Sequence, residues 1–270
     1  MKRAFHIPAT DISQDALHLL VEWGSDTVSF VWMQKNPLRI EGISTYTFNP
    51  AEEAQGELIS FPDNDHFKAT SVTVCYNNRE SVLVPAKYYQ AGLQSALLSL
   101  QYGESENKQI RCDELQKRQI MNCYTVPNAA DQFCQTHFPS AKILHATSLQ
   151  AENDISGSRL FCTVYSNTLK VILHKDGQLL FVQQFAYATP GDAVYHLLNT
   201  CQQHHINPAE INLQLSGMVD QQSPLFQMMH TYFANISFMP IPTGITVQEK
   251  ILELPEHFFS HLIELASCAS

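Results

Sequence analysis

The chain has 270 residues, enough for two domains of ordinary size or one large one. Apolar residues make up 44% and charged residues only 16%, which allows a sizeable core and excludes wholesale disorder. Sixteen basic against 26 acidic side chains leave a net charge of −10 with no Lys/Arg cluster, so a nucleic-acid partner held through phosphate contacts is not expected.

The opening MKRAFHIPATDIS carries two basic residues with no apolar stretch behind them, so it does not read as a secretory leader. No run approaches the roughly 20 apolar residues of a membrane span. The seven cysteines are an odd number without a CxxC pair, and Cys75 and Cys162 sit inside apolar runs. A disulfide framework is therefore not expected, and a reducing, cytoplasmic setting is.

Three strands follow, over residues 17–24, 26–34 and 38–48, with turns at Gly24-Ser25 and at Lys35-Asn36-Pro37. Pro50 then stands near the first turn of a helix expected over 51–59, and a strand over 71–76 comes next. The same order returns in the second half. Residues 159–165, 168–174 and 178–188 read as strands, and Lys175-Asp176-Gly177 is a hairpin turn. Thr189-Pro190 opens a helix whose Val194, Leu197, Leu198 and Cys201 share one face, and a strand over 211–217 follows. Each half closes with a helix and a strand: 128–138 and 141–146 in the first, 223–234 and 236–240 in the second.

In both halves the strand after the helix begins about 21 residues beyond the helix-opening proline. Residues 79–126, about 48 of them, have no counterpart in the second half and read as an inserted subdomain of strand, helix and strand. The polar stretch 150–158 separates the halves. The expected domains are therefore 1–150, carrying the insertion 79–126, and 151–270, ending in a helix over 255–268 with Phe258, Leu262 and Leu265 on one face.

This doubled βββαβαβ order resembles the ribonuclease H-like core that is duplicated in the actin, Hsp70 and sugar-kinase superfamily. The fold expected is thus α/β, a duplicated ribonuclease H-like (actin-like ATPase) fold with a small subdomain inserted in the first half. The insertion, in which Leu83-Val84-Pro85 turns into a helix, resembles the extra subdomain of bacterial actin-like cell-division and pilus-assembly proteins. Taken whole, the chain resembles an uncharacterised family of Bacteroidetes bacteria that is associated with an actin-like fold and has no assigned activity.

The resemblance implies where a nucleotide would sit. In that superfamily a first hairpin of the type Asp-x-Gly-Ser/Thr gives a carboxylate to the metal and a glycine to the phosphate. The matching turn here offers Glu22, Gly24, Ser25 and Thr27, with the longer Glu22 in place of aspartate, although Gly-Ser is also ordinary turn chemistry. The second hairpin, Val164-Tyr165-Ser166-Asn167-Thr168, has neither glycine nor carboxylate, and its side chains crowd the approach a phosphate needs. The adenosine element is reduced to Leu215-Ser216-Gly217-Met218, followed by Asp220. No Walker or GxGxxG stretch substitutes.

The expected site is thus a vestigial cleft made of Glu22, Gly24, Ser25, Thr27, Asn167, Thr168, Gly217 and Asp220, without catalytic residues, metal or cofactor. The function expected is that of a non-catalytic cytoplasmic interaction or scaffold protein with a protein partner, a homo-oligomer being left open. The alternative is a divergent ATP-binding protein or phosphotransferase using Glu22, Ser25 and Asp220 between the halves. A third reading, a small-molecule module, would be weakened by Trp23 and Tyr165 filling that cleft.

Other constellations have simpler explanations. Cys201, His204 and His205, and likewise Cys134 and His137, fall at helical spacing, but zinc wants a fuller ligand set, and helix-end histidines suit the macrodipole. Glu52-Glu53 suits a helix N-terminus. Met228 and Met229 with Phe226, Tyr232 and Phe233, and the terminal Phe258, Phe259, Leu262 and Ile263, read as core, with a partner surface as the other option.

Overall fold

The computed structural model describes residues 2–9, 17–49, 69–104 and 106–269. The helix expected over 51–59, with Glu52 and Glu53, lies outside the described residues. The chain divides into two compact units: Met1–Glu152 with Gly244–Glu253 and Leu265–Ser270, and Asn153–Thr243 with Leu254–Glu264. The tail beyond residue 243, expected to stay with the second half, alternates between the two.

The first unit is built on one sheet. Its strands in chain order are β1 (Lys2–Ile7), β2 (His18–Gly24), β3 (Thr27–Lys35), β4 (Leu38–Thr47) and β5 (Ser71–Asn77). An inserted three-stranded sheet follows, made of β6 (Ser81–Pro85), β7 (Lys108–Leu115) and β8 (Ile120–Pro127), with helix α1 (Gln94–Tyr102) between β6 and β7. Helix α2 (Asn128–His137), strand β9 (Lys142–His145) and the short helix α3 (Ala146–Ala151) complete the half. The main sheet runs β1-β4-β3-β2-β5-β9.

β2 and β3 are central in this sheet, and nearly all their residues are buried. Alternation still sorts the two faces. Leu19, Val21 and Trp23 join Phe30, Trp32, Tyr46, Val74 and Tyr76 in one core, which Phe133 and Cys134 of α2 close. Fully burying an aliphatic or Phe side chain contributes roughly 1.5–3 kcal/mol, so this run of large residues dominates the half's stability. Glu22 points to the opposite face, as expected of the residue before Trp23.

The second unit holds β10 (Arg159–Val164), β11 (Thr168–Lys175), β12 (Gln178–Ala186), helix α4 (Pro190–Gln203), β13 (Asn212–Gly217), helix α5 (Pro224–Tyr232) and β14 (Asn235–Phe238). α4 begins where sequence chemistry places it. The Thr189 hydroxyl accepts from the Asp192 N–H, and the Asp192 carboxylate accepts from the Thr189 N–H in return. Ser223 caps α5 in the same manner, accepting from the Phe226 N–H.

This sheet runs β12-β11-β10-β13-β14, the same order as β4-β3-β2-β5-β9 in the first unit. Polarity matches as well. β2 is antiparallel to β3 and parallel to β5, and β10 is antiparallel to β11 and parallel to β13. The two sheets thus share one strand order and polarity in the described elements.

The sequence pattern missed three strands. β1 is charged and lies at the sheet edge, β7 reads KQIRCDEL with scarcely an apolar alternation, and the two-residue β15 (Thr246–Val247) pairs with β4. Short helix α6 (Glu249–Leu252) precedes the C-terminal segment, where a single 3-10 turn over Glu256–Phe258 leads into α7 (Ser260–Ala269). Phe259, Leu262, Ile263 and Leu265 are buried there, as are Met229 and Phe233, whereas Met228 and Tyr232, expected in the core, are exposed.

Candidate functional site

The tight turn between β2 and β3 gathers Glu22, Gly24, Ser25 and Thr27 at one sheet end. Gly24 pairs with Asn77 of the neighbouring β5, and a Cβ there would stand 3.0 Å from the Thr27 hydroxyl and 3.3 Å from its carbonyl oxygen. The glycine lets the hairpin close tightly. Glu22 is only 1% exposed, and its Oε1 accepts a 2.8 Å hydrogen bond from the Asn77 side-chain amide. Next to it Ser29 and Thr45 share a 3.0 Å hydroxyl–hydroxyl bond. The Glu22 carboxylate is therefore sunk in a polar layer of the sheet.

Trp23 sits on the other face, its ring 5.4 Å from Phe133 and 6.2 Å from Phe48. A cavity of about 280 Å³ opens beside it, lined by Gly24, Ser25, Tyr76 and Pro127 and by Asn78 to Glu80 and Glu106 to Lys108 of the insertion's approach. Typical ligand pockets hold about 300–1,000 Å³, so the space suits a small group or one side chain better than a nucleotide. Its rim is largely self-satisfied. Glu80 takes Lys108 at 2.5 Å on one oxygen and the Thr125 hydroxyl at 2.7 Å on the other. The Asn78 amide donates to the Thr125 carbonyl, while its side-chain oxygen is buried with no hydrogen-bond partner among the described residues. Tyr76 donates to Asp131 at 3.4 Å, and burial holds its phenol well above the ordinary range. Sequence reasoning missed Asn77, Asn78 and this cavity. The signal available was the polar run Asn77-Asn78-Arg79-Glu80 directly after an apolar strand.

The second half's candidates gather at the corresponding end of their own sheet. The Val164–Thr168 turn is closed by its own backbone: the Tyr165 N–H donates to the Thr168 carbonyl at 2.9 Å, and the Asn167 carbonyl accepts from the Tyr187 N–H at 3.0 Å. Tyr165 is buried and its ring meets His261 edge-on at 5.5 Å. Gly217 ends β13 with φ +81°, and the Met218 N–H after it donates to the Val164 carbonyl at 2.7 Å. Asp220 is exposed, and its carboxylate accepts the Gln222 N–H at 2.7 Å in a local turn.

Gly217 is demanded by packing. A Cβ there would lie 2.2 Å from the Val164 carbonyl oxygen, and the left-handed conformation costs a non-glycine residue roughly 1–2 kcal/mol besides. We expect Gly217→Ala to cost about 2–3 kcal/mol in urea unfolding. A loss under about 0.5 kcal/mol would contradict this packing account.

The histidine and cysteine pairs are also accounted for by packing. Cys201 and Cys134 are buried in their cores, His204 lies 5.4 Å from Phe181, and His137 stacks on Phe133 at 4.0 Å while bonding its carbonyl.

Residues 9–236 match the family described as "Protein of unknown function (DUF3822)". The chain belongs to that family. No curated protein matches it. Among solved structures, this DUF3822 chain is similar to a Bacteroides thetaiotaomicron protein with an actin-like ATPase fold and unknown function, at 13% identity and TM-score 0.74, covering 94% of this chain and 96% of that one. It is also similar to a chain of the PilM–PilN type IV pilus biogenesis complex, at 11% identity and TM-score 0.59, over 94% and 98% of the two chains. The fold of the DUF3822 chain is accordingly actin-like. Among the described residues, no helix is long and apolar enough to cross a membrane.

Proposed function

We propose that the protein is a non-catalytic, cytoplasmic interaction protein on a duplicated actin-like fold whose nucleotide chemistry has been lost. The burial of Glu22 under the Asn77 amide carries this reading. A carboxylate that serves a metal must aim an oxygen at the ion, whereas Glu22 already commits its Oε1 to the Asn77 amide. Withdrawing one from this polar layer would also strip the Asn77 amide of its acceptor. The spent Asp220 and the glycine-free Val164–Thr168 turn support the same view.

A protein partner is supported by the insertion. Within thirteen residues it exposes three large apolar side chains, Tyr88 at 66%, Leu93 at 42% and Leu100 at 87%. The PilM neighbour was itself solved in complex with another protein.

The test is thermal unfolding of the purified chain with ATP, ADP and GTP plus magnesium. The expected result is an unchanged midpoint and no turnover. A ligand at 100 times its Kd would stabilise by about 2.7 kcal/mol, a shift of several degrees. Such a shift, abolished by Glu22→Gln, would replace this reading with that of a divergent ATP-binding protein.

A further inference from the structure

Cys112 of β7 and Cys123 of β8 are direct partners in the antiparallel register of the inserted sheet. Their sulfur atoms stand 3.0 Å apart. Directly opposed residues on antiparallel strands have Cα atoms about 4.5–5.5 Å apart, inside the 4.4–6.8 Å window a disulfide accepts. Closing the bond therefore requires side-chain rotation and no new backbone path.

The two thiols are unequal. Cys112 is half-buried and receives the Tyr89 hydroxyl at 3.8 Å, whereas Cys123 is fully buried. Burial first, and then the neighbouring Cys112 thiol, push Cys123 up to about 12. Cys112 is thus the sulfur a reagent reaches, and Cys123 the one that resolves the adduct. Cys75, Cys134, Cys162 and Cys201 are buried and serve as internal controls.

We propose that Cys112 and Cys123 form a reversible thiol–disulfide exchange site whose co-reactant is a low-molecular-weight disulfide. Deprotonated Cys112 attacks one sulfur of the small disulfide, forming a mixed disulfide and expelling one small thiolate. Cys123 loses its proton and attacks the Cys112 sulfur, so the Cys112–Cys123 bond forms and the second small thiolate leaves. Two protein thiols are oxidised, one small disulfide is reduced to two thiols, and the two protons released go to those thiolates. Excess small thiol runs the sequence backwards. A transient pair of this kind is compatible with a reducing compartment, where a permanent structural disulfide is not.

The test treats the folded full chain with oxidised glutathione, blocks remaining thiols with an alkylating agent, and digests with trypsin without reduction. Cleavage after Arg111, Lys117, Arg118 and Lys142 releases peptides 112–117 and 119–142. The expected product is these two peptides joined, carrying one alkyl group on Cys134 and otherwise lighter by two hydrogens than their reduced sum, with fragmentation placing the bond on Cys123. Dithiothreitol separates them. With Cys123→Ser, glutathione stays on Cys112. Two free alkylated peptides from the wild-type chain, a bond to Cys134, or a glutathione adduct on wild-type Cys112 that never resolves would each overturn the proposal, and these outcomes require no variant to fold.

Discussion

Lowering the pH from 7 to 5 is expected to remove about 2 kcal/mol of stability from each unit, through one buried histidine in each. In the first unit His18 opens β2, with Nδ1 2.5 Å from the Ser71 hydroxyl and Nε2 3.1 Å from that of Thr73. Burial first, then the charges of Lys35 and Lys142, lower its pKa to about 4. In the second unit His261 is buried against Tyr165, its Nδ1 having no hydrogen-bond partner among the described residues. Burial and then Lys170 lower its pKa to about 3. The sign follows from these directions. The unfolded chain takes up each proton near pH 6.5, while the folded chain refuses it until about 4 or 3, so protons favour the unfolded state throughout that window. At pH 5 each gap amounts to about 1.5 pH units, or about 2 kcal/mol. Urea unfolding at pH 7, 6 and 5 measures the loss, and His18→Gln and His261→Gln should each remove its own share of the slope. Slopes unchanged in both variants would show that other groups carry the acid response.

The strand order was legible because apolar alternation and turn residues coincide along both halves. Gly24-Ser25 and Asp176-Gly177 mark hairpins, and Thr189-Pro190 marks a helix start, each through chemistry confined to a few neighbouring residues. What escaped was decided by distant partners. β7 carries Arg111, Asp113 and Glu114, so its sequence reads as a polar loop, yet Arg111 pairs with Asp131 at 2.7 Å and the strand lies against β8 along its whole length. The terminal residues beyond 243 read as a tail of the second half, although 244–253 and 265–270 group with the first.

The candidate site was legible at its glycines and illegible at its carboxylate. Gly217 could be singled out because the resemblance places a glycine at the end of that strand, but its positive φ and the close Val164 carbonyl, which packing alone demands, remove it as a marker of nucleotide binding. Glu22 looked like a lengthened metal ligand because its hairpin matched a pattern, whereas Asn77, 55 positions away, decides what its oxygen does. Likewise Cys112 and Cys123 lack any metal or redox spacing in the sequence, and only the strand register sets their sulfurs together. Reactivity in this chain is a property of cross-strand pairing, which spacing along one strand does not encode.

The same reasoning makes Asp113 the insertion's principal anchor, and its replacement by alanine is expected to cost about 3–4 kcal/mol. One carboxylate oxygen accepts the His145 N–H at 2.8 Å and the Ser148 hydroxyl at 2.6 Å, and the other accepts the Tyr124 hydroxyl at 3.1 Å. His145, Ser148 and Tyr124 are all buried, and Ser148 in turn receives the Asn122 amide at 2.9 Å. Alanine would leave three donors without their acceptor, each costing about 1–3 kcal/mol when no water reaches it. Part of that loss is offset, because burial, only partly opposed by the bonds from Ser148, His145 and Tyr124, holds the Asp113 carboxyl above its ordinary 3.8. Ionised Asp113 thus carries a desolvation penalty that the variant escapes. As pH falls through the raised value, the folded wild type takes up this proton before the unfolded chain and gains stability, so the deficit of D113A widens toward acid, opposite in sign to the histidine effect. Denaturant unfolding of the wild type and D113A at pH 7 and pH 5 checks both the size and the direction. A loss below about 1 kcal/mol at pH 7 would mean that the inserted sheet is held chiefly by its apolar contacts.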